Sequence, residues 1–276
     1  MTAEHEITPR RAAELIDALT AIVAKAAAAT LAKPFSQVER HLKTDQSPVT
    51  EADEASEAAI LEGLSRLLPE VPVVSEESLE KAPADLGVSA VIVDPLDGTK
   101  EFLAGRDEFT VNVAIVTRGA PIAGIIAAPK QDLLWRGVVG GQAERLRLRW
   151  SDGHVLERSA LHTRPAPELL VATVSRSHLD PQSENFLARL PIAKRETCGS
   201  SVKFCRLAQG DADLYPRLAP THEWDIAAGC AILAAAGGTV TDPQGAPLRF
   251  GRSSNKYLVP AFIAWGDPKR AAAVGK

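Results

Sequence analysis

The stretch "VIVDPLDGTKEF" (residues 91–102) decides how the rest of the chain is read. Val91, Ile92 and Val93 form an unbroken apolar run, the pattern of a strand end buried on both faces. Asp94 and Asp97 then crowd two carboxylates together where the chain leaves the sheet. Like charges this near repel, and each is costly when desolvated alone, so the pattern calls for a positive partner. Pro95 fixes its own φ and pushes Asp94 toward extended geometry, which lets both carboxylates and the Leu96 carbonyl converge on one point. Oxygen-only donors of this kind suit Mg²⁺. Gly98 permits a tight turn, and N–H groups around Gly98 and Thr99 can receive a phosphate at a helix start.

Asp-Pro and Asp-Gly pairs also make ordinary turns, so this stretch alone leaves a purely structural reading open. An aspartyl-phosphate mechanism is a different matter. It needs aspartates two apart on one strand face, and these are three apart.

The chain has 276 residues, 45% apolar and 24% charged, which describes a globular protein of one elaborate domain or two close subdomains. A net charge of −4 argues against binding a nucleic-acid polymer, although a local cluster or a metal can still attract a small anion. Cys198, Cys205 and Cys230 show no CxxC spacing and read as buried thiols in a reducing compartment. No signal-like segment or long apolar run occurs, so the expectation is a cytoplasmic protein without a transmembrane segment. Peripheral association at the inner membrane, and the choice between monomer and homodimer, are left open by the sequence.

Thr8-Pro9 marks a helix start, and an alanine-rich amphipathic helix follows to about Leu31, closed by Pro34. Residues 36–48 read as an exposed loop or irregular hairpin. Thr50 opens a second helix, with Asp53 three residues on as in a capping box. Short strands follow at 71–75 and up to Asp94, and "FTVNVAIVT" (109–117) alternates as a half-buried strand does. A meander runs through "IAGIIAAP" and "LLWRGVVGG", and Ser151-Asp152-Gly153 signals a hairpin between "RLRLRW", a solvated arginine face, and "HVLER". The second half mixes strands at 169–175 and "ADLYPR" with helices at 181–190, 200–210 and 225–238. Strands and helices come in blocks, which favours a layered α+β fold over a doubly wound parallel sheet.

Three more acidic positions stand at element ends. Glu76-Glu77 follows a short apolar strand as Asp94 does, so the two loops can meet on one sheet edge. Asp225 and Asp53 both stand where a carboxylate caps a helix, and each alone reads as structural. Together with Asp94 and Asp97 they make a different case, because one cation can neutralise several of them.

"SPVTEAD", "VVSEES", "VDPLDGTKEF" and "EWDIAAG" occur here in the order found in the lithium-sensitive, magnesium-dependent phosphomonoesterase superfamily, which includes inositol monophosphatases, fructose-1,6-bisphosphatases and 3′(2′),5′-bisphosphate nucleotidases. With Lys100-Glu101-Phe102, "VSRSH" (174–178), "GSSVKFC" (199–205) and "LYPR" (214–217), the chain most resembles the bacterial nucleotidase branch. The resemblance implies an αβαβα sandwich, residues 1–155 carrying most metal ligands and 156–276 completing the substrate site. It implies two or three Mg²⁺ ions on Glu76, Asp94, the Leu96 carbonyl, Asp97 and Asp225. Gly98 and Thr99 hold the scissile phosphate, while Asp53 and Thr99 orient and deprotonate the attacking water. Ser200, Lys203 and Arg217 meet the second phosphate or nucleoside, with His178 a looser match; the alternative for Lys203 and Arg217 is a solvated face. Metal ligands and phosphate-holding residues alike then count as substrate contacts.

The implied reaction removes the 3′-phosphate of adenosine 3′,5′-bisphosphate, giving AMP and phosphate in support of sulfate assimilation. An inositol- or sugar-phosphate phosphatase on the same fold is the nearest alternative. A catalytically silent binding protein is a further one, set aside because every expected acidic position is occupied. "PTHEWD" (220–225) departs from the branch at His222-Glu223, which puts the shape of the nucleoside pocket in question.

Overall fold

In a computed structural model of the chain, residues 6–33, 35, 38–42, 48–176 and 179–274 are described. Helix α1 (Pro9–Thr30) starts as expected, with Thr8 accepting the Arg11 N–H and proline in the first turn. Pro34, read as its stop, lies outside the described residues. Strands β1 (Arg40–Leu42) and β2 (Pro48–Thr50) pair antiparallel across part of the expected hairpin. Helix α2 (Glu51–Leu67) follows directly, and the Thr50–Asp53 capping box is formed.

The main sheet takes β3 (Val73–Ser75), β4 (Ser89–Asp97), β5 (Thr110–Thr117), β6 (Ala120–Ala128), β7 (Leu133–Val138), β8 (Ala143–Arg149) and β9 (His154–Ala160) in that spatial order. Only β3 and β4 run parallel; the remainder is an antiparallel meander. A short helix, α3 (Thr99–Leu103), leaves the end of β4. The sheet extends to Ala160, so the division expected near residue 155 falls inside β9. In the "RLRLRW" stretch Arg145, Arg147 and Arg149 are the solvated face anticipated, ion-paired to Glu157 and Asp152.

The second half places β10 (Leu170–Ser175), α4 (Pro181–Leu187), β11 (Ile192–Cys198), α5 (Val202–Ala208), β12 (Leu214–Arg217), β13 (Thr221–His222), α6 (Glu223–Ala235), β14 (Thr239–Thr241), β15 (Leu258–Val259), β16 (Phe262–Trp265) and α7 (Pro268–Val274). Five of these strands form a mixed sheet in the order β11-β10-β12-β16-β14, and β13 pairs with β15. The sequence reading had no strand at β11, β14 or β16. These are charged or short stretches whose pairing comes from neighbours distant in sequence.

The layers stack as αβαβα. Helices α1 and α2 cover one face of the main sheet, and α5 and α6 fill the space between the sheets. Leu187 of α4 and Ala271 of α7 pack on the outer face of the second sheet. This arrangement corrects the reading of residues 109–117 as half-buried. Every residue of β5 is buried, because α1 lies on one side and α6 on the other, and the alternating Thr110, Asn112 and Ala114 face the interior too. Helix α6 is apolar around most of its circumference for the same reason. All three cysteines are free and buried, as expected.

Candidate metal and phosphate site

The bulge in β4 sets up the site. Asp94 pairs with Asn112 and Asp97 with Thr110, so two residues of β4 stand opposite one of β5. In a regular strand, residues three apart point to opposite faces; the extra residue restores parity and turns both aspartates the same way. Pro95 sits inside the irregularity, where its missing N–H forfeits no ladder bond. Gly98 then takes φ 91°, and α3 begins at Thr99. Parallel pairing of β3 with β4 brings Glu76 alongside, its N–H bonded to the Val93 carbonyl at 3.2 Å.

Asp225 arrives on α6, in the helical layer between the two sheets. It is the third residue of that helix, not its cap, and its carboxylate folds back to accept the His222 N–H at 3.1 Å and the Thr221 hydroxyl. Carboxylate oxygens of Glu76, Asp94 and Asp225 lie within 4.8 Å of one another. Asp94 is 1% exposed; Oδ1 accepts the Leu96 N–H at 3.0 Å, while Oδ2 is buried with no hydrogen-bond partner. Burial, reinforced by Glu76, Asp97, Asp225 and Asp53, pushes the Asp94 carboxyl far above the usual carboxylate range. An orphaned carboxylate oxygen among other carboxylates, with no histidine or cysteine in the trio, fits a hard divalent cation.

Asp97 lines the same cavity, and its Oδ2 accepts hydroxyls from Ser200 at 2.6 Å and Ser201 at 3.0 Å. Burial and Asp225 raise its carboxyl too, against the lowering effect of those hydroxyls and of Lys203. Asp53 is fully buried. Its Oδ2 is held by the Thr50 N–H (2.9 Å) and hydroxyl (2.6 Å), leaving Oδ1 3.4 Å from the Thr99 hydroxyl, which is equally near the Leu96 carbonyl. Asp53 is thus both a cap and a neighbour of the site.

The carboxylates open on a cavity of about 330 Å³ lined also by Gly98, Thr99, Ser200, Lys203 and Arg217. Lys203 is buried, which removes the solvated-face alternative. Its ammonium donates to the Ser200 and Cys198 carbonyls and lies 5.2 Å over the Tyr215 ring. Ser200 itself has φ 51°, a strained conformation that those bonds help hold. Arg217 is half-buried, donates to the Pro220 carbonyl at 3.1 Å, and keeps a buried Nε without a partner. His178 lies outside the described residues.

Sequence reasoning missed Ser201 and Asn112. Asn112 donates to Ser201 Oγ at 3.1 Å, and that hydroxyl lies 3.0 Å from Asp97 Oδ2 and 2.6 Å from the Asp225 carbonyl, joining acidic residues of β4 and α6. The signal was present: an asparagine among the valines of β5, in register with Asp94.

A sequence profile described as the inositol monophosphatase family matches residues 11–273. The chain belongs to that family. Among inositol monophosphatase family relatives, it is 39% identical over 236 residues to the 3′(2′),5′-bisphosphate nucleotidase CysQ of Escherichia coli O157:H7, covering 84% of this chain and 89% of that one. It is likewise 39% identical over 221 residues to the CysQ of Salmonella typhimurium strain LT2, covering 80% and 86%. The crystal structure of CysQ from Bacteroides thetaiotaomicron, a bacterial member of the family, superposes with a TM-score of 0.73 at 34% identity, covering 91% of this chain and 97% of that one. The extragenic suppressor protein suhB of Bartonella henselae superposes with a TM-score of 0.75 at 25% identity, covering 95% and 97%. The inositol monophosphatase family is generally metal-dependent, in keeping with the carboxylate trio. Among the described residues no helix is long and apolar enough to cross a membrane.

Proposed function

We propose that this chain is a Mg²⁺-dependent 3′(2′),5′-bisphosphate nucleotidase, which hydrolyses adenosine 3′,5′-bisphosphate to AMP and phosphate, in support of sulfate assimilation. The observation that carries the metal-dependent phosphatase reading is the buried, unpartnered Asp94 oxygen within the Glu76–Asp94–Asp225 trio at the cavity floor. The similarity to CysQ nucleotidases supports this substrate over an inositol phosphate.

Glu76, Asp94, the Leu96 carbonyl, Asp97 and Asp225 would hold two or three Mg²⁺ ions. When bound, these cations supply Lewis acidity, neutralising the phosphate and making water a better nucleophile. Thr99 stands between that chemistry and Asp53, so its hydroxyl can orient the attacking water and pass a proton toward Asp53 Oδ1. The Thr50 bonds to Oδ2 hold Asp53 in the required orientation. Water oxygen bonds to phosphorus as the P–O3′ bond breaks, the departing 3′ oxygen takes up a proton from solvent, and Asp53 returns the water's proton to solvent. Gly98 leaves space for the scissile phosphate, and Ser200 and Arg217 face the cavity where the remainder of the substrate lies. We assign Lys203 to supporting Ser200 as well as supplying positive charge to the pocket.

In this division residues 1–155 provide most metal ligands and 156–276 complete the substrate pocket. Buried thiols fit a reducing, cytoplasmic setting. The test is a phosphate-release assay run side by side on adenosine 3′,5′-bisphosphate and inositol 1-phosphate, with and without Mg²⁺. Metal-dependent release favouring the nucleotide is expected; preference for inositol phosphate, or turnover indifferent to Mg²⁺ and chelator, overturns the assignment.

A further inference from the structure

We propose that the imidazole of His222 is the platform on which the planar base of the nucleotide stacks, an assignment that rests on the nucleotidase reading of the same cavity. His222 and Trp224 both line that cavity. Their rings are nearly parallel, 6° apart in plane with centroids 4.4 Å apart. Behind Trp224 lies Tyr257, with centroids 6.3 Å apart. Trp224 and Tyr257 are 4% and 3% exposed, whereas His222 is half-buried. His222 and Trp224 form a short stacked column, Tyr257 backs it at a tilt of 45°, and His222 is the most exposed of the three.

The column is anchored at the backbone. His222 pairs with Leu258 between β13 and β15, and its N–H is tied to the Asp225 carboxylate. Glu223, wholly buried, accepts the Gly251 and Arg252 N–H groups and so fastens the loop that carries Tyr257. A ring fixed in this way loses little conformational freedom when a second ring lies on it. Stacking needs a π-face on the ligand and discriminates little between bases, but it strongly separates a nucleoside from a polyol or a bare sugar phosphate. His222 is three residues from Asp225, its N–H is bonded to that carboxylate and both line the cavity, so the platform stands beside the carboxylates. The departure at His222-Glu223 noted in the sequence thereby gains a role: His222 presents the ring and Glu223 secures its support.

The experiment compares AMP with ribose 5-phosphate, the same phosphate and sugar without a base, by titration calorimetry on the full-length protein with Mg²⁺. His222→Ala should weaken AMP about ten-fold while shifting ribose 5-phosphate less than about two-fold. His222→Phe, which keeps a ring and removes both nitrogens, should restore AMP to within about three-fold of wild type. Equal weakening of both ligands in the alanine variant, or no recovery with phenylalanine, overturns the proposal. A wild-type protein that binds AMP in this pattern yet releases no phosphate from adenosine 3′,5′-bisphosphate would sink the activity and leave the platform standing.

Discussion

Replacing Asp94 with asparagine should make the metal-free protein more stable while abolishing its response to Mg²⁺. Asparagine keeps the Oδ1 that accepts the Leu96 N–H and converts the orphaned oxygen into an amide donor among carboxylates. At an effective dielectric near 20, two unit charges separated by the 4.8 Å that bounds the trio repel by about 3.5 kcal/mol. The metal-free wild type already relieves part of this, because burial and its acidic neighbours favour the protonated Asp94. The remaining gain for Asp94→Asn is about 1–3 kcal/mol, or roughly 3–10 °C in Tm. With Mg²⁺ at about a hundred times its Kd the wild type should gain about 2.7 kcal/mol, and the variant should gain almost nothing. Thermal melts of both proteins, in chelator and in a Mg²⁺ series, measure all four quantities. A variant that melts below wild type in chelator, or that Mg²⁺ raises as much as wild type, refutes the reasoning.

Thr99→Val should lower kcat about 100-fold with a much smaller change in KM, since it removes the hydroxyl beside Asp53 and leaves the cavity shape; steady-state kinetics decide it. Ser201→Ala should weaken Mg²⁺ binding about ten-fold in calorimetry by releasing Asp97 and the Asp225 carbonyl from their shared hydroxyl. Gly124→Ala places a Cβ 2.3 Å from the Ala228 carbonyl oxygen on α6, so urea unfolding should show a loss of about 2 kcal/mol or more. At Glu108 burial raises the pKa, but the Arg176 guanidinium and Gly199 N–H outweigh it and leave the carboxyl below its ordinary 4.5. A depressed folded-state pKa stabilises above the unfolded value and is lost as pH falls through the folded one. Glu108→Gln should therefore destabilise near neutral pH, with the deficit fading below 4.5 in urea titrations at several pH values.

Much of the site was legible because its residues sit at element ends with strong local signals. The Thr50–Asp53 box, the β3 and β4 termini and the start of α6 were each marked by polar residues beside apolar runs. What local pattern does not carry is which face of a neighbour is covered. Residues 109–117 alternate as a half-exposed strand does, and only the arrival of α6 from over a hundred residues away buries the second face. Lys203 poses the same problem. Its lysine identity favours solvent, and its burial depends on Tyr215 and on carbonyls brought round by the turn before α5. Convergence of Asp94 and Asp97 was legible through Pro95, but the β4 bulge that produces it shows only in the register of the partner strand.

Helix α6 has a consequence for how substrate comes and goes. It packs on the main sheet on one side and against β14 of the second sheet, and its first turn delivers Asp225. The two sheets therefore cannot swing apart like the shells of a clam without tearing open the apolar cluster they share. Nucleotide and product are then expected to enter and leave through the open mouth of the cavity, without the sheets parting.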